Sequence, residues 1–246
     1  MPSLVLAHTR YFVIESIRVP IGILASALFP AIAMLAFVVP FAGGDPQAAT
    51  MATASMMFFG AMSGALTGLA INVAQDREQP WNPYLRTLPA GPFPRFVGRI
   101  LSTVAVMLLS VIPVLLEAVL LTEATITPVR LLLGLAVLVA SGIPFMLMGL
   151  LIGFLLSSKA AIAVSQLLFF PLAIVGGLLL PPAVLPGFVD TISPFTPARG
   201  AAELLWAATA GSTPDAVALV MLAVWTVVLA VAAGWAYRRD EGRRFS

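Results

Sequence analysis

The 246-residue chain has no cysteine, a single histidine and a single lysine, and only 10% of its residues are charged. Without cysteine there is no disulfide, no zinc–thiolate site and no thiol nucleophile. One histidine, His8, cannot supply both axial ligands of a bis-histidine haem, nor the two imidazoles of a histidine-bound zinc. It also precedes the first apolar stretch, the wrong depth for the base of an intramembrane serine protease. The one lysine, Lys159, follows Ser157-Ser158 and precedes Ala160, so the Gly-Lys-Ser/Thr ending of a phosphate-binding loop does not occur. With these absences no constellation supports covalent catalysis, the Walker lysine of a nucleotide hydrolase does not occur, and the chain is predicted to hold neither cofactor nor metal.

What the chain has in excess is apolar surface. Sixty per cent of its residues are hydrophobic and its mean hydropathy is +1.04, which places it among membrane proteins. Six stretches approach the ~20 residues that a helix needs to cross a bilayer: 20–41, 48–74, 96–121, 131–156, 160–180 and 215–237. The positive charges alternate with them. Arg10 and Arg18 precede the first stretch, and Arg77, Arg86, Arg95 and Arg99 lie between the second and third. Lys159 separates the fourth from the fifth, and Arg238, Arg239, Arg243 and Arg244 follow the sixth. The opposite loops hold only Arg130 and Arg199. Lys and Arg are held back on the cytoplasmic face of a membrane, so both termini are predicted to be cytoplasmic. The same rule accounts for the basic balance without a nucleic-acid partner. The fold class predicted is all-α: a polytopic membrane protein of six transmembrane helices, forming one membrane domain over residues 1–246.

Residues 3–18 read as an amphipathic interfacial helix, with His8, Arg10, Glu15 and Arg18 on one half and Val5, Phe12, Val13 and Ile17 mostly on the other. Gly43-Gly44-Asp45-Pro46 reads as a tight turn. In the second stretch Gly60, Gly64 and Gly68 recur every four residues, a small-residue face that lets another helix come close, within the chain or in a dimer. Gly149 and Gly153 repeat the spacing in the fourth. Two connections are long: an inner one over 75–95, rich in charge and proline, and an outer one over 181–214. Five prolines there, Pro181, Pro182, Pro186, Pro194 and Pro197, break regular helix. Phe188, Val189, Ile192 and Phe195 are too apolar for a solvated loop. That segment is predicted to be a re-entrant hairpin of short helices. Polar groups are sparse in the spans. Glu117 lies four residues before the outer end of the third, and Gln166 and Asn72 read as interhelical hydrogen-bonding groups.

Two runs of residues resemble a known family. The inner loop reads Asp76-Arg77-Glu78-Gln79, then Leu85-Arg86-Thr87-Leu88-Pro89-Ala90. The distal segment reads Gly176-Gly177-Leu178-Leu179-Leu180-Pro181, then Leu185-Pro186-Gly187-Phe188, then Pro194 and Pro197. In order and topology these resemble the ABC-2 type permeases, in a drug-resistance-like branch of bacterial exporters. Pro80-Trp81-Asn82-Pro83 stands where the family commonly has Gly-Thr, and Leu88 intervenes between Thr87 and Pro89.

The resemblance implies a division of labour. ATP and Mg would be bound by a separate cytosolic ABC ATPase. The segment from Asp76 to Arg95 would couple to it through Asp76, Arg77, Glu78, Trp81, Tyr84 and Arg86, as an amphipathic helix fits a partner's groove. A second permease chain, identical or paralogous, would complete the path, with helices two and five at the interface and the Gly60/Gly64/Gly68 face available for that contact. Gln166, Phe169, Phe170 and Glu117 become the candidate path residues, suited to a hydrophobic or amphiphilic cargo such as a drug, an antibiotic or a lipid-like molecule. The location implied is the bacterial inner membrane. Two other classes stay open at this point: an ion-coupled carrier using Glu117, and a membrane anchor or sensor subunit that transports nothing.

Overall fold

The computed structural model describes residues 2–18, 20–80 and 93–242, which are helical and contain no strand. Helix α1 spans Pro2–Arg18, α2 Pro20–Ala33 and α3 Val39–Ala42, with a π-helical turn, Met34–Val38, joining the last two. Helix α4 spans Pro46–Met62 and α5 Leu69–Glu78, with a second π turn, Ser63–Gly68, between them. Four longer or buried helices follow: α6 Phe93–Leu121, α7 Pro128–Leu155, α8 Ser158–Val175 and, after a short helix α9 (Gly187–Ile192), α10 Pro197–Ala210. The last, α11, is Ala216–Gly242.

Among the described residues five helices are long and apolar enough to cross a membrane: 46–78, Phe96–Leu121, Pro128–Leu155, Ser158–Val175 and Ala216–Asp240. The first predicted span falls on α2–α3, where a shorter apolar helix, Ala27–Ala42, is described. The chain is an all-α polytopic membrane protein.

Prolines do two different jobs here. Pro46, Pro128 and Pro197 each stand at the first turn of a helix, where the missing N–H costs nothing, and each follows a capping side chain. Asp45 accepts from the Ala48 N–H at 2.6 Å, Thr127 from Arg130 at 3.4 Å and Thr196 from Arg199 at 3.3 Å. These caps satisfy donors that a helix start leaves orphaned. Pro30, Pro113, Pro144 and Pro171 instead lie inside helices, where a proline removes a backbone hydrogen bond and favours a kink.

The helix formed by α4, its π turn and α5 is the centre of the bundle: 83% of its most apolar window is buried, against 22% for α8 and α11. Helix α7 packs on it through glycine. A Cβ on Gly149 would stand 2.8 Å from the carbonyl oxygens of Ala65 and Leu66 in the π turn, and one on Gly153 would stand 2.7 Å from the Val73 Cβ. Nothing larger than hydrogen fits at these two positions, which is the use of small-residue spacing in a membrane helix. The Gly60/Gly64/Gly68 row also turns inward: Gly60 and Gly64 are buried, and Gly64 faces Val106 and Met107 of α6.

The segment after α8 is a folded hairpin. Gly177 takes a left-handed φ of 78°, and Gly177 and Leu178 N–H groups return to the carbonyls of Ile174 and Ala173 at 3.1 and 2.9 Å. That is the glycine-dependent stop in which the last helical carbonyls are recaptured. A Cβ on Gly176 would lie 2.5 Å from that of Ala198. The two glycines of the Gly-Gly-Leu run therefore serve different needs, a backbone turn and a close approach. Helix α10 then lies buried among α4, α7 and α11.

Candidate functional site: a charged hub between five helices

Helix α5 does not stop at Gln75 but runs to Glu78, and Gln79 is extended. Its last three residues are charged. Consecutive helical positions point about 100° apart, so Asp76, Arg77 and Glu78 fan out toward three different neighbours.

Asp76 pairs with Arg99 of α6 through a short hydrogen bond. Arg99 is only 8% exposed. Its guanidinium carbon sits 3.7 Å from the centre of the Phe12 ring on α1, and Nη1 is 4.0 Å from the Glu15 carboxylate. A stacked and ion-paired guanidinium of this kind is what arginine offers and lysine does not. Below it α1 and α6 meet closely: a Cβ on Gly98 would lie 2.7 Å from that of His8.

Arg77 reaches the opposite way. Its Nη1 donates to the carbonyls of Gly153 and Leu156 at 2.8 and 3.0 Å, at the C-terminal end of α7. The last carbonyls of a helix have no partner within it, and a cation there also meets the negative end of the helix dipole. The same guanidinium binds Asp240 of α11, Nε at 2.9 Å and Nη2 at 2.7 Å from Oδ1.

Glu78 caps α8. Its carboxylate accepts from the Ser158 N–H at 2.9 Å and, through a short bond, from the Ser158 hydroxyl. Ser157, the residue in the cap position, makes no side-chain cap bond itself, so α5 provides from outside what α8 lacks.

Three adjacent side chains thus join α5 to α6, α7, α8 and α11, with α1 attached through Arg99. Of the coupling residues that the sequence suggested, Asp76, Arg77 and Glu78 are brought together in this hub. Trp81, Tyr84 and Arg86 lie outside the described residues. Sequence reasoning missed Arg99, Ser158 and Asp240. Arg99 was absorbed into a charge-orientation pattern. Asp240 was passed over although it is an acid inside the basic run Arg238-Arg239-Asp240-Glu241-Gly242-Arg243-Arg244, the one available signal.

The other suggested residues lie elsewhere. Phe169 is buried and belongs to an aromatic cluster: its ring centre is 4.9 Å from that of Phe59 and 5.2 Å from that of Phe170, and Phe29 contacts both Phe59 and Phe170 at 5.7 Å. Gln166 and Phe170, one helical turn apart, are on the exposed face of α8 with Ile162, Leu167 and Ile174. Glu117 stands on α6, four residues before Leu121, with Oε2 buried and without a hydrogen-bond partner.

A second charged cluster occupies the far end. Arg199 Nε lies 2.9 Å from Glu203 Oε1 one turn along α10, and the guanidinium carbon is 5.4 Å from the Trp206 ring centre. The Trp206 indole N–H donates to Ser55 at 2.9 Å. Arg199, taken in the sequence as a loop charge, is therefore a partly buried helical one.

Apolar spanning helices tied together at one end by a charged hub, at the start of a long connection, define a multi-pass membrane protein. Comparison with known proteins makes this specific. The model of the ABC-2 type transporter family matches residues 4–210, and the chain belongs to that family. The protein named "Putative transport permease YvfS" of Bacillus subtilis (strain 168) is 21% identical over 187 residues, covering 76% of each chain. The chain is a transport permease, and its family points to a membrane subunit that works with a separate ATPase.

Proposed function

We propose that this chain is half of the membrane path of an ATP-driven exporter in a bacterial inner membrane, with both termini on the cytoplasmic side. ATP and Mg would be bound and turned over by a cytosolic ABC ATPase docked against the segment 75–95. The hub is the observation that carries this reading. It stands at the root of that segment and bonds to four other helices in addition to carrying α1 through Arg99. A displacement applied there reaches most of the bundle at once. In this reading Asp76, Arg77 and Glu78 anchor the coupling segment, and the direct contact with the ATPase falls to Trp81, Tyr84, Arg86 and their neighbours.

A second permease chain, identical or paralogous, would cover the open face of α8. Gln166 is the polar group on that face, and a lone amide in an apolar surface gains from a partner helix or a hydrated path. With Phe170 beside it, the face suits a hydrophobic or amphiphilic small molecule, drug, antibiotic or lipid-like. The test is efflux of a lipophilic fluorescent dye from inverted vesicles holding the permease and its ATPase. Replacing Arg77 and Glu78 together by alanine is expected to leave both proteins in the membrane and ATP hydrolysis running while dye movement is lost. Dye movement at the parental rate in that variant would remove the hub from the mechanism.

A further inference from the structure

Helix α11 differs from every other long helix in one respect. Helices α6, α7 and α8 each carry an internal proline, and the helices at 20–42 and 46–78 each contain a π turn. From Ala216 to Gly242 α11 has neither. Prolines and π turns are the usual sources of helix bending. Among the described helices of 18 residues or more, α11 is thus the one unbroken rod, about 40 Å long at 1.5 Å per residue.

Both of its ends are fastened. At one end Asp240, 8% exposed, is held by the Arg77 guanidinium of the hub. At the other it is joined to the hairpin. A Cβ on Gly200 of α10 would lie 2.3 Å from the Ala218 carbonyl oxygen, so the two backbones touch. The Trp225 indole N–H donates to the Phe195 carbonyl at 2.9 Å, and the Asp215 N–H donates to Glu203 at 3.4 Å.

We propose that Asp240 is a positioning residue for coupling, acting through Arg77, and that α11 carries displacement of the hub to the hairpin after α8. This rests on the ATP-driven reading above. When the coupling segment moves, Arg77 moves with α5. Asp240 follows because two bonds to the guanidinium, at 2.9 and 2.7 Å, tie its buried carboxylate to α5. A stiff helix then delivers the shift to the backbone contact at Gly200.

The absence of native cysteine makes the test clean. The permease–ATPase complex, in nanodiscs, carries a cysteine at the exposed position Asp190 on α9. Its rate of reaction with a bulky maleimide is compared without nucleotide and after trapping with ATP, Mg and vanadate, and normalised to the ATP hydrolysed. With Asp240 intact the rate is expected to change at least about five-fold, the lower range of allosteric coupling. Asp240→Asn is expected to bring the ratio toward one, and Asp240→Glu to restore it. Trp225→Phe, which leaves the hub untouched, is expected to reduce the response from the other end. A full response in Asp240→Asn or in Trp225→Phe, or an equal loss in the Asn and Glu variants, overturns the assignment while leaving the ATP-driven reading in place. No response with Asp240 intact overturns the assignment, and no ATP-dependent dye movement by the same complex in inverted vesicles overturns the ATP-driven reading.

Discussion

The two charged clusters of this protein use similar side chains for opposite purposes. In the hub every bond joins residues remote in sequence: Arg77 to Asp240 across 163 positions, Arg77 to Gly153 across 76 and Glu78 to Ser158 across 80. In the hairpin Arg199 and Glu203 are four residues apart on one helix. The hub fixes helices relative to one another, whereas the hairpin pair is formed within α10 and reaches outward through one long bond, from the Asp215 N–H to Glu203 at 3.4 Å. Sequence separation, more than burial, tells which task a charge pair performs.

The harshest way to break this comparison is to force apart the backbones on which each cluster depends. Gly153→Leu would drive α7 from α5 near the hub, and Gly200→Leu would drive α10 from α11 at the hairpin. The added side chains would meet main-chain atoms within about 3 Å. Each is expected to cost at least the ~1–3 kcal/mol of an overpacked core and to lower the yield of folded protein in detergent, read by size exclusion and thermal unfolding. Equal tolerance of both would mean that neither contact is as tight as described.

A sharper experiment replaces each pair by apolar residues of similar size. Arg199→Met with Glu203→Leu is expected to cost less than about 1 kcal/mol, since a buried ion pair is often no better than good packing and only the long 3.4 Å bond from the Asp215 N–H is lost with it. Arg77→Met with Asp240→Leu is expected to lose about 1–3 kcal/mol, because the carbonyls of Gly153 and Leu156 also lose their donor. Thermal midpoints in one detergent decide between them. If both doubles behave alike, the distinction between inter-helix and intra-helix pairs is wrong.

The smallest expected effect comes from Glu78→Gln. The amide retains an oxygen for the Ser158 N–H but forfeits the charge at the start of α8, a loss that solvent screens at this exposed position. Hydrogen exchange should quicken in the first turn of α8 and nowhere in the hairpin.

Much of the architecture was legible in the sequence because the membrane leaves few options. Apolar runs of spanning length must be helices, and five of the six proposed spans correspond to helices that meet the length and hydropathy criteria. The four-residue glycine spacing of span four also marks close packing, since spacing alone places Gly149 and Gly153 on one face. The site was less legible. Asp76-Arg77-Glu78 stood out as a motif through its resemblance to a family, and the geometry gives that motif a physical sense, three directions from three adjacent positions. Their partners could not be found in the same way. Arg99 and Asp240 sit in arginine-rich stretches that the orientation rule already explained, and an adequate explanation at one level hid a second role at another.

The amino-acid sequence by itself determined that this chain lives in a bilayer, roughly where it crosses, and that it has no cysteine for thiol chemistry. Those follow from composition and from local periodicity, which act on each segment independently. The tertiary structure alone decided which helix lies at the centre, that Arg77 closes the end of α7 and grips α11, and that Arg199 is a partly buried partner of Glu203. Such facts depend on distances between segments far apart in the chain, and no local rule of hydropathy or spacing encodes them.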